Sequence, residues 1–242
     1  MIRISGLEKR FKKLVALNDI HVQFNKGQVI SLIGPNGSGK TTLIKCILGL
    51  VRPDRGQIEL DGASIFKDES YRKKIGYMPQ IGRYPDQMKV GQLFSLLKSI
   101  RSSVNLDEEM LELYKLHDIW EKPMRSLSGG TRQKVSAAVA FLFDPEILIL
   151  DEPTAGLDPL SSELLKEKIQ REKAKGKLIL ITSHILSDLD DLTTHVLYLQ
   201  EGTIQFNGNL NELKQQTGEE KFGKAIARFM KIKNEATHVE IV

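Results

Sequence analysis

The segment Gly34-Pro35-Asn36-Gly37-Ser38-Gly39-Lys40-Thr41 has the spacing Gly-x-x-x-x-Gly-Lys-Thr of a phosphate-binding loop. Glycines at these positions let backbone N–H groups turn inward around phosphate oxygens. A helix starting near Lys40 aims its positive dipole end at the same anion. Lys40 reaches terminal phosphates as a point charge, and the Thr41 hydroxyl, with Thr42 beside it, is the kind of ligand such loops offer to Mg²⁺. A second candidate is the apolar run Ile147-Leu148-Ile149-Leu150, which ends in Asp151-Glu152. At the carboxyl end of a buried strand, Asp151 is placed to hold Mg²⁺, directly or through water, and Glu152 to orient an attacking water or accept its proton. Each motif has a plainer reading. The loop could be a Gly-rich turn with an incidental lysine, and the acids could cap a turn before Pro153. In one chain, with a strand before the loop and a helix after it, they point to nucleotide binding and leave open which nucleotide.

The elements that must position these residues are legible in the apolar pattern. Ile2, Ile4 and Leu7, then Val15, Leu17 and Ile20, then Val22 and Phe24 predict short antiparallel strands. Asn25-Lys26-Gly27 predicts a turn, residues 28–33 a compact strand, residues 40–50 a helix, and residues 57–60 a strand before the turn Asp61-Gly62. From about 84 to 140 the period changes. Leu93, Phe94, Leu96, Leu97 and Ile100, and then Met110, Leu113 and Leu116, recur at helical spacing, which predicts a helical lobe inserted between strands. The α/β pattern then resumes: a strand at 147–150, an amphipathic helix at 160–175 closed by Gly176, a strand at 178–182, and a helix at 185–192. A hairpin follows, with strands at 196–199 and 202–206 about the turn Gln200-Glu201, and the charged tail from about Thr217 is expected to be helical.

With 242 residues, 40% hydrophobic and 27% charged, the chain is an ordinary globular sequence long enough for a sizeable core. Thirty-five basic residues against 31 acidic leave +4, with no dense basic block. The surface therefore reads as solvated rather than built for nucleic acid. The single cysteine, Cys46, excludes an internal disulfide and reads as a small buried hydrophobe. The N-terminus has no signal-peptide pattern and no apolar run is long enough to span a bilayer, so any membrane crossing would fall to another chain.

Leu127-Ser128-Gly129-Gly130, followed by Arg132-Gln133, is a further Ser/Gly nest at a predicted helix N-terminus. With the phosphate loop before it and Asp151-Glu152 after it, the chain resembles the ATP-binding subunit of an ABC transporter. The resemblance covers about residues 1–210 and implies an α/β fold, a P-loop NTPase core of ABC type. An N-terminal antiparallel β subdomain and the inserted helical subdomain (84–140) would lie within one ATPase domain, 1–215, followed by a short tail, 216–242. It implies ATP and Mg²⁺ as cofactors and ATP hydrolysis as the activity.

By that resemblance Gly34, Pro35, Asn36, Gly37, Ser38, Gly39, Lys40, Thr41 and Thr42 bind ATP, and Phe11 stacks on adenine. The family more often has Tyr at the stacking position, but Phe keeps the π-face. Glu152, Lys40, Gln80 and His184 form the implied catalytic set. Gln80, in Tyr77-Met78-Pro79-Gln80, senses metal and water, and His184 faces the γ-phosphate. Thr41, Gln80 and Asp151 form the implied metal set, and Asp158 is the residue that couples two nucleotide sites, besides reading as a helix N-cap. Ser128, Gly129 and Gly130 would act in trans, on ATP held by another subunit. Thr131 departs from the commonest residue at its position, one the family varies. The implied partners are a second copy or a paralogue in a head-to-tail dimer, and an integral membrane permease docked near the Gln80 segment, with no nucleic acid. The implied place is the cytoplasmic face of the cell membrane. A non-transport ATPase acting on nucleic acid or ribosomes is the alternative; such proteins carry a long coiled-coil insertion or two fused ATPase halves, and neither is visible in this sequence. The segment Thr182–Leu189 and the short tail resemble ATPases paired with ABC-2-type export permeases and, more narrowly, the copper-processing ATPase of nitrous oxide reductase maturation.

Overall fold

The computed structural model describes residues 1–101 and 105–239, the side chains of 234–239 excepted. Residues 102–104 of the expected helical lobe and 240–242 of the expected tail lie outside the described residues. The chain opens with a long hairpin, β1 (Ile2–Phe11) and β2 (Leu14–Phe24), whose register brings Phe11 opposite Leu14 at its tip. The residues read as two strands from Val15 to Phe24 form one strand, β2. β3 (Val29–Ile33) runs into the Gly-rich loop and α1 (Lys40–Ile47). That helix stops short of the expected Leu50 because Gly49 turns left-handed, φ 67, and the Leu50 N–H folds back to the Lys45 carbonyl at 2.8 Å. β4 (Arg55–Leu60) and β5 (Ala63–Ser64) complete a four-stranded antiparallel sheet in the order β2-β1-β4-β5.

β6 (Ile75–Met78) follows a 3-10 turn at Glu69–Lys74. The helical lobe contributes α2 (Val90–Arg101), α3 (Glu109–Leu113) and α4 (Gly129–Phe141). Then come β7 (Ile147–Asp151), α5 (Pro159–Ala174) and β8 (Leu178–Thr182). The hairpin β9 (His195–Gln200) and β10 (Thr203–Asn209) turns at Glu201-Gly202, both residues having positive φ, as a tight right-twisted hairpin requires. α6 (Leu210–Thr217) and α7 (Phe222–Val239) close the chain.

The second sheet has the order β10-β9-β3-β8-β7-β6, parallel from β9 to β6 with β10 antiparallel at the edge. β3, β7 and β8 are buried along their whole length, because both faces of this sheet are covered. α1 and the antiparallel sheet share one core with one face; the helical lobe and α4–α7 share the other. The tail is part of this packing: its Phe222, Ala225, Ile226 and Phe229 are buried in it, with Leu210 and Leu213 of α6. Cys46 is buried as expected, and burial pushes its thiol up to about 11.

The helix expected at 185–192 is a single 3-10 turn, Leu186–Leu189. The Ser183 hydroxyl accepts from the Ile185 N–H at 3.0 Å, and this local bond competes with a helical start. β6 lay outside the sequence expectations altogether. It is short, and its Gly76 lies against α4, where an added Cβ would fall 2.0 Å from the Ala140 carbonyl oxygen.

α5 hides an ionic cluster. Lys168 and Glu172 are both fully buried, and the Lys168 ammonium donates to Asp107 at 2.5 Å and Glu109 at 2.7 Å in the lobe and pairs with Glu172 at 3.0 Å. Burial alone would raise the Glu172 carboxyl, but hydrogen bonds from Lys177, Lys175 and Lys168 outweigh it and bring the group down to about 2.

Two stability predictions follow from this packing. Gly76→Ala forces β6 off α4 and should cost about 1–3 kcal/mol in urea denaturation; an unchanged midpoint contradicts the close approach. Lys168→Met takes the ammonium from Asp107 and leaves the buried Glu172 to Lys175 and Lys177 alone; it should cost about 3–5 kcal/mol in the same measurement, far more than an exposed lysine change.

Candidate active site

Four chain segments leave the parallel sheet at one edge. β3 ends at Ile33, just before the phosphate loop; β8 ends at Thr182, just before His184; β7 ends at Asp151, just before Glu152; and β6 ends at Met78, just before Gln80. Strand register aligns them: Leu32 faces Thr182, Thr182 faces Asp151, and Leu150 faces Met78. The cleft they form, about 230 Å³, is lined by Asn36, Gly37, Ser38, Gly39, Lys40, Thr41, Thr42, Gln80, Asp151, Glu152 and His184, with Phe11, Leu14 and Ala16 of the hairpin at its mouth. Residues assigned from separate motifs are thus brought into one concave site.

The loop's conformation explains its glycines. Gly34 and Gly39 have φ of 154 and 107, and a Cβ would lie 2.1 Å from the Leu199 carbonyl oxygen at the first and 2.4 Å from the Ala16 carbonyl oxygen at the second. At these two positions the loop is therefore clamped against β9 and β2 with no room for a side chain. Gly34 and Pro35 do not line the cleft; their carbonyls accept from the Lys40 ammonium at 2.7 and 3.0 Å. Burial lowers the Lys40 pKa, against the opposing pull of Glu152 and Asp151. Neutral carbonyls are weaker partners for an ammonium than phosphate oxygens, so a phosphate in the loop would compete for it. The Ser38 hydroxyl is buried with no hydrogen-bond partner among the described residues. An orphaned polar atom in a Gly-rich loop at a helix N-terminus fits an anionic ligand with phosphate oxygens.

On β8, next to the strand that carries the loop, Thr182 bonds both acidic residues. Its hydroxyl donates to Asp151 Oδ1 at 2.5 Å and accepts from the Glu152 N–H at 3.0 Å. Glu152 is left-handed, φ 53, and buried. Its carboxylate accepts from the His184 N–H at 3.2 Å and lies 3.2 Å from His184 Nε2. The buried Gln133 donates from Nε2 to the Glu152 carbonyl at 3.2 Å. Sequence reasoning missed Thr182 and gave Gln133 no role. Thr182 reads only as a strand end until register places it beside Asp151, and Gln133 reads only as part of a motif. Asp151 and Thr41 line the same cleft and offer the oxygen ligands that Mg²⁺ prefers. Phe11, 44% exposed and beside the Lys9 ammonium, presents a ring face at the cleft mouth.

Ser128, Gly129, Gly130 and Asp158 are elsewhere. Ser128 caps α4, its hydroxyl accepting from the Thr131 N–H at 3.2 Å. Gly129 and Gly130 line a separate cavity of about 680 Å³ with Gln80, Arg132 and Gly156. Asp158 caps α5 by accepting from the Ser161 N–H at 2.9 Å, ahead of Pro159 in the first turn. Lys134, 2.8 Å away, and the Ser161 bonds hold its carboxyl well below the usual range.

The ABC transporter family matches residues 17–155. A lantibiotic transport ATP-binding protein of Streptococcus pyogenes is 33% identical over 223 residues, which cover 88% of this chain and 95% of that protein. A Nod factor export ATP-binding protein of Burkholderia lata is 34% identical over 209 residues, covering 83% of this chain and 68% of the relative. A solved structure described as the ATP binding subunit of an ABC transporter superposes with a TM-score of 0.87 at 28% identity, over 95% of this chain and 99% of the other.

Thr182→Val deletes both bonds of the hydroxyl with little change of volume. ATP turnover should fall at least tenfold, about 1.4 kcal/mol in the barrier, while calorimetric ATP affinity changes less than threefold. Unchanged turnover contradicts the organising role.

Proposed function

The chain belongs to the ABC transporter family as an ATP-binding, ATP-hydrolysing subunit, and we propose that it acts as one of a head-to-tail pair that closes on ATP and drives an export permease. In this reading ATP lies along the phosphate loop with adenine on Phe11. The loop N–H groups and Lys40 hold the phosphates. Thr41 and Asp151, with Gln80 close by, would hold Mg²⁺, which when bound would neutralise charge on the phosphates. Glu152 orients the attacking water and accepts its proton, and His184, against the same carboxylate, faces the terminal phosphate.

The observation that carries the pairing is that Ser128, Gly129 and Gly130 do not line the cleft that gathers Phe11, residues 36–42 of the loop and helix start, Gln80, Asp151, Glu152 and His184. A Ser/Gly nest at a helix N-terminus is an anion site in its own right. A second subunit facing this one would bring its nest over this cleft, and each ATP would be enclosed from both sides. ATP would then stabilise the closed pair by mass action, and its hydrolysis would release it. Glu152, His184 and Lys40 are all present, so both sites of a pair of identical chains are competent.

Among the described residues no helix is long and apolar enough to cross a membrane, so the permease is a separate partner in this reading, engaged near the Gln80 segment. The chain would sit on the cytoplasmic face. The names of the two relatives, lantibiotic transport and Nod factor export, support an export permease as that partner, which in this reading is of ABC-2 type.

Glu152→Gln removes the proton acceptor and keeps the shape. Turnover should fall by about 10²–10⁴, ATP affinity should persist, and light scattering should show an ATP-dependent dimer. Ordinary turnover in this variant, or a monomer at saturating ATP, would sink the proposal.

A further inference from the structure

Gln133 has no part in the reaction as set out above, yet it is 5% exposed and its one described hydrogen bond is to the main chain of the residue that performs it. Glu152 carries a backbone conformation, φ 53, that costs a non-glycine residue about 1–2 kcal/mol. A strained residue persists only where its surroundings over-determine it. The Glu152 N–H is held from β8, by the Thr182 hydroxyl at 3.0 Å and the Thr182 carbonyl at 3.2 Å. The carboxylate is held by His184. The carbonyl is held from α4, by Gln133 at 3.2 Å. Of these holds, the one from α4 comes from outside the sheet edge.

α4 has other duties. Its N-cap is Ser128, its next residue after Gln133 is Lys134, paired with Asp158 at 2.8 Å, and its Ser136 hydroxyl meets the Tyr84 hydroxyl at 3.0 Å, in the segment that follows Gln80. One rigid helix therefore joins a Ser/Gly nest at its start to the Glu152 peptide, the Asp158 cap and the Gln80 segment.

We infer that Gln133 is a positioning residue for Glu152, and that through α4 it ties the set of the Glu152 peptide to whatever engages Ser128. The first half needs only this chain. The second rests on the head-to-tail pairing, because in that pairing Ser128 meets the ATP of the other subunit. A shift at the N-cap moves Gln133 with it, and the Glu152 carbonyl follows its donor. Each subunit would then sense the occupancy of its partner's site at its own catalytic carboxylate.

The test uses the full chain with Gln133→Met, which keeps volume and removes the donor, and Gln133→Glu. Gln133→Met should lower kcat about tenfold, within the range of one buried hydrogen bond, with the KM and the calorimetric Kd for ATP unchanged. It should also reduce the Hill coefficient of ATP hydrolysis towards one. In Gln133→Glu the ionised carboxylate repels the Glu152 carbonyl, whereas the protonated one donates to it. Its kcat relative to the unmodified chain should therefore recover as pH falls from about 9 to about 6, the range in which a buried carboxyl protonates. A purely structural role would give no such recovery. Unchanged kcat in Gln133→Met, a matching loss of ATP affinity, or a pH-independent ratio in Gln133→Glu overturns the positioning role. A full Hill coefficient beside a lowered kcat overturns the transmission. The ATP-dependent dimer of Glu152→Gln tests the pairing alone. If that dimer forms and Gln133→Met turns over normally, the failure belongs to this inference.

Discussion

The pairing of Asp151 with Thr182 across β7 and β8 is the constraint on which the site depends. It sets one hydroxyl between two carboxylate residues, donating to Asp151 and accepting from the Glu152 N–H. Side chains alternate along a strand, so a slip of one residue would turn Thr182 to the other face and lose both bonds. The same register reaches the phosphate loop, because Leu32 of β3 pairs with Thr182, and reaches Gln80, because Met78 of β6 pairs with Leu150. Parallel strands end on the same side, and all these loops consequently open at one edge. Strands buried along their whole length and bounded by polar residues make that register firm, since any slip would carry polar loop residues into one of the two covered faces.

Within this frame the electrostatics balance locally. Asp151 and Glu152 are buried side by side, an arrangement that is costly without compensation. Thr182 and the His184 N–H supply hydrogen bonds to the charged oxygens, and Lys40 faces them across the cleft. Burial works against the Lys40 charge and the two carboxylates work for it. A polyphosphate with its metal would bring both signs of charge into the same space, with Lys40 complementing the anion and Asp151 the cation. Substrate charge is thus met by groups that already offset one another.

Much of this was legible because it is written in short motifs and in unbroken apolar runs. The phosphate loop, Asp151-Glu152 and the strands that carry them stand out in Val29–Ile33, Ile147–Asp151 and Leu178–Thr182. What was not legible depends on contacts between distant segments. β6 is a strand because it pairs with β7 and because Gly76 permits α4 to touch it; four residues with a glycine and a tyrosine among them give no period to read. Thr182 and Gln133 acquire their roles only across register and across a helix face. The helix expected after His184 fails because Ser183 bonds its own neighbours, a local competition that apolar spacing does not report. Lys168 and Glu172 are the sharpest case. On a helix, a lysine and a glutamate at this spacing read as a solvated pair, yet both are buried because carboxylates of the lobe and lysines from α5 and the turn before β8 surround them.

That buried cluster bears on how the lobe can move. Lys168 on α5 holds Asp107 and Glu109 of the lobe, and the Tyr114 hydroxyl donates to the Ser161 carbonyl at 2.9 Å, at the start of α5. Separating the lobe from α5 would strand buried charges, which costs several kcal/mol. The lobe and α5 should therefore shift as one piece, carrying the Ser128 cap of α4 and the Asp158 cap of α5 together, already joined by Lys134. The polar ties from this unit to the segments around the site are Gln133 on the Glu152 carbonyl and, on α5, Lys166 paired with Asp188 at 3.3 Å and Lys173 on the Leu192 carbonyl at 3.1 Å, beyond His184. A displacement of the lobe with α5 is thus passed through these ties to the residues around the carboxylate, and those are the residues whose geometry decides whether water can be activated.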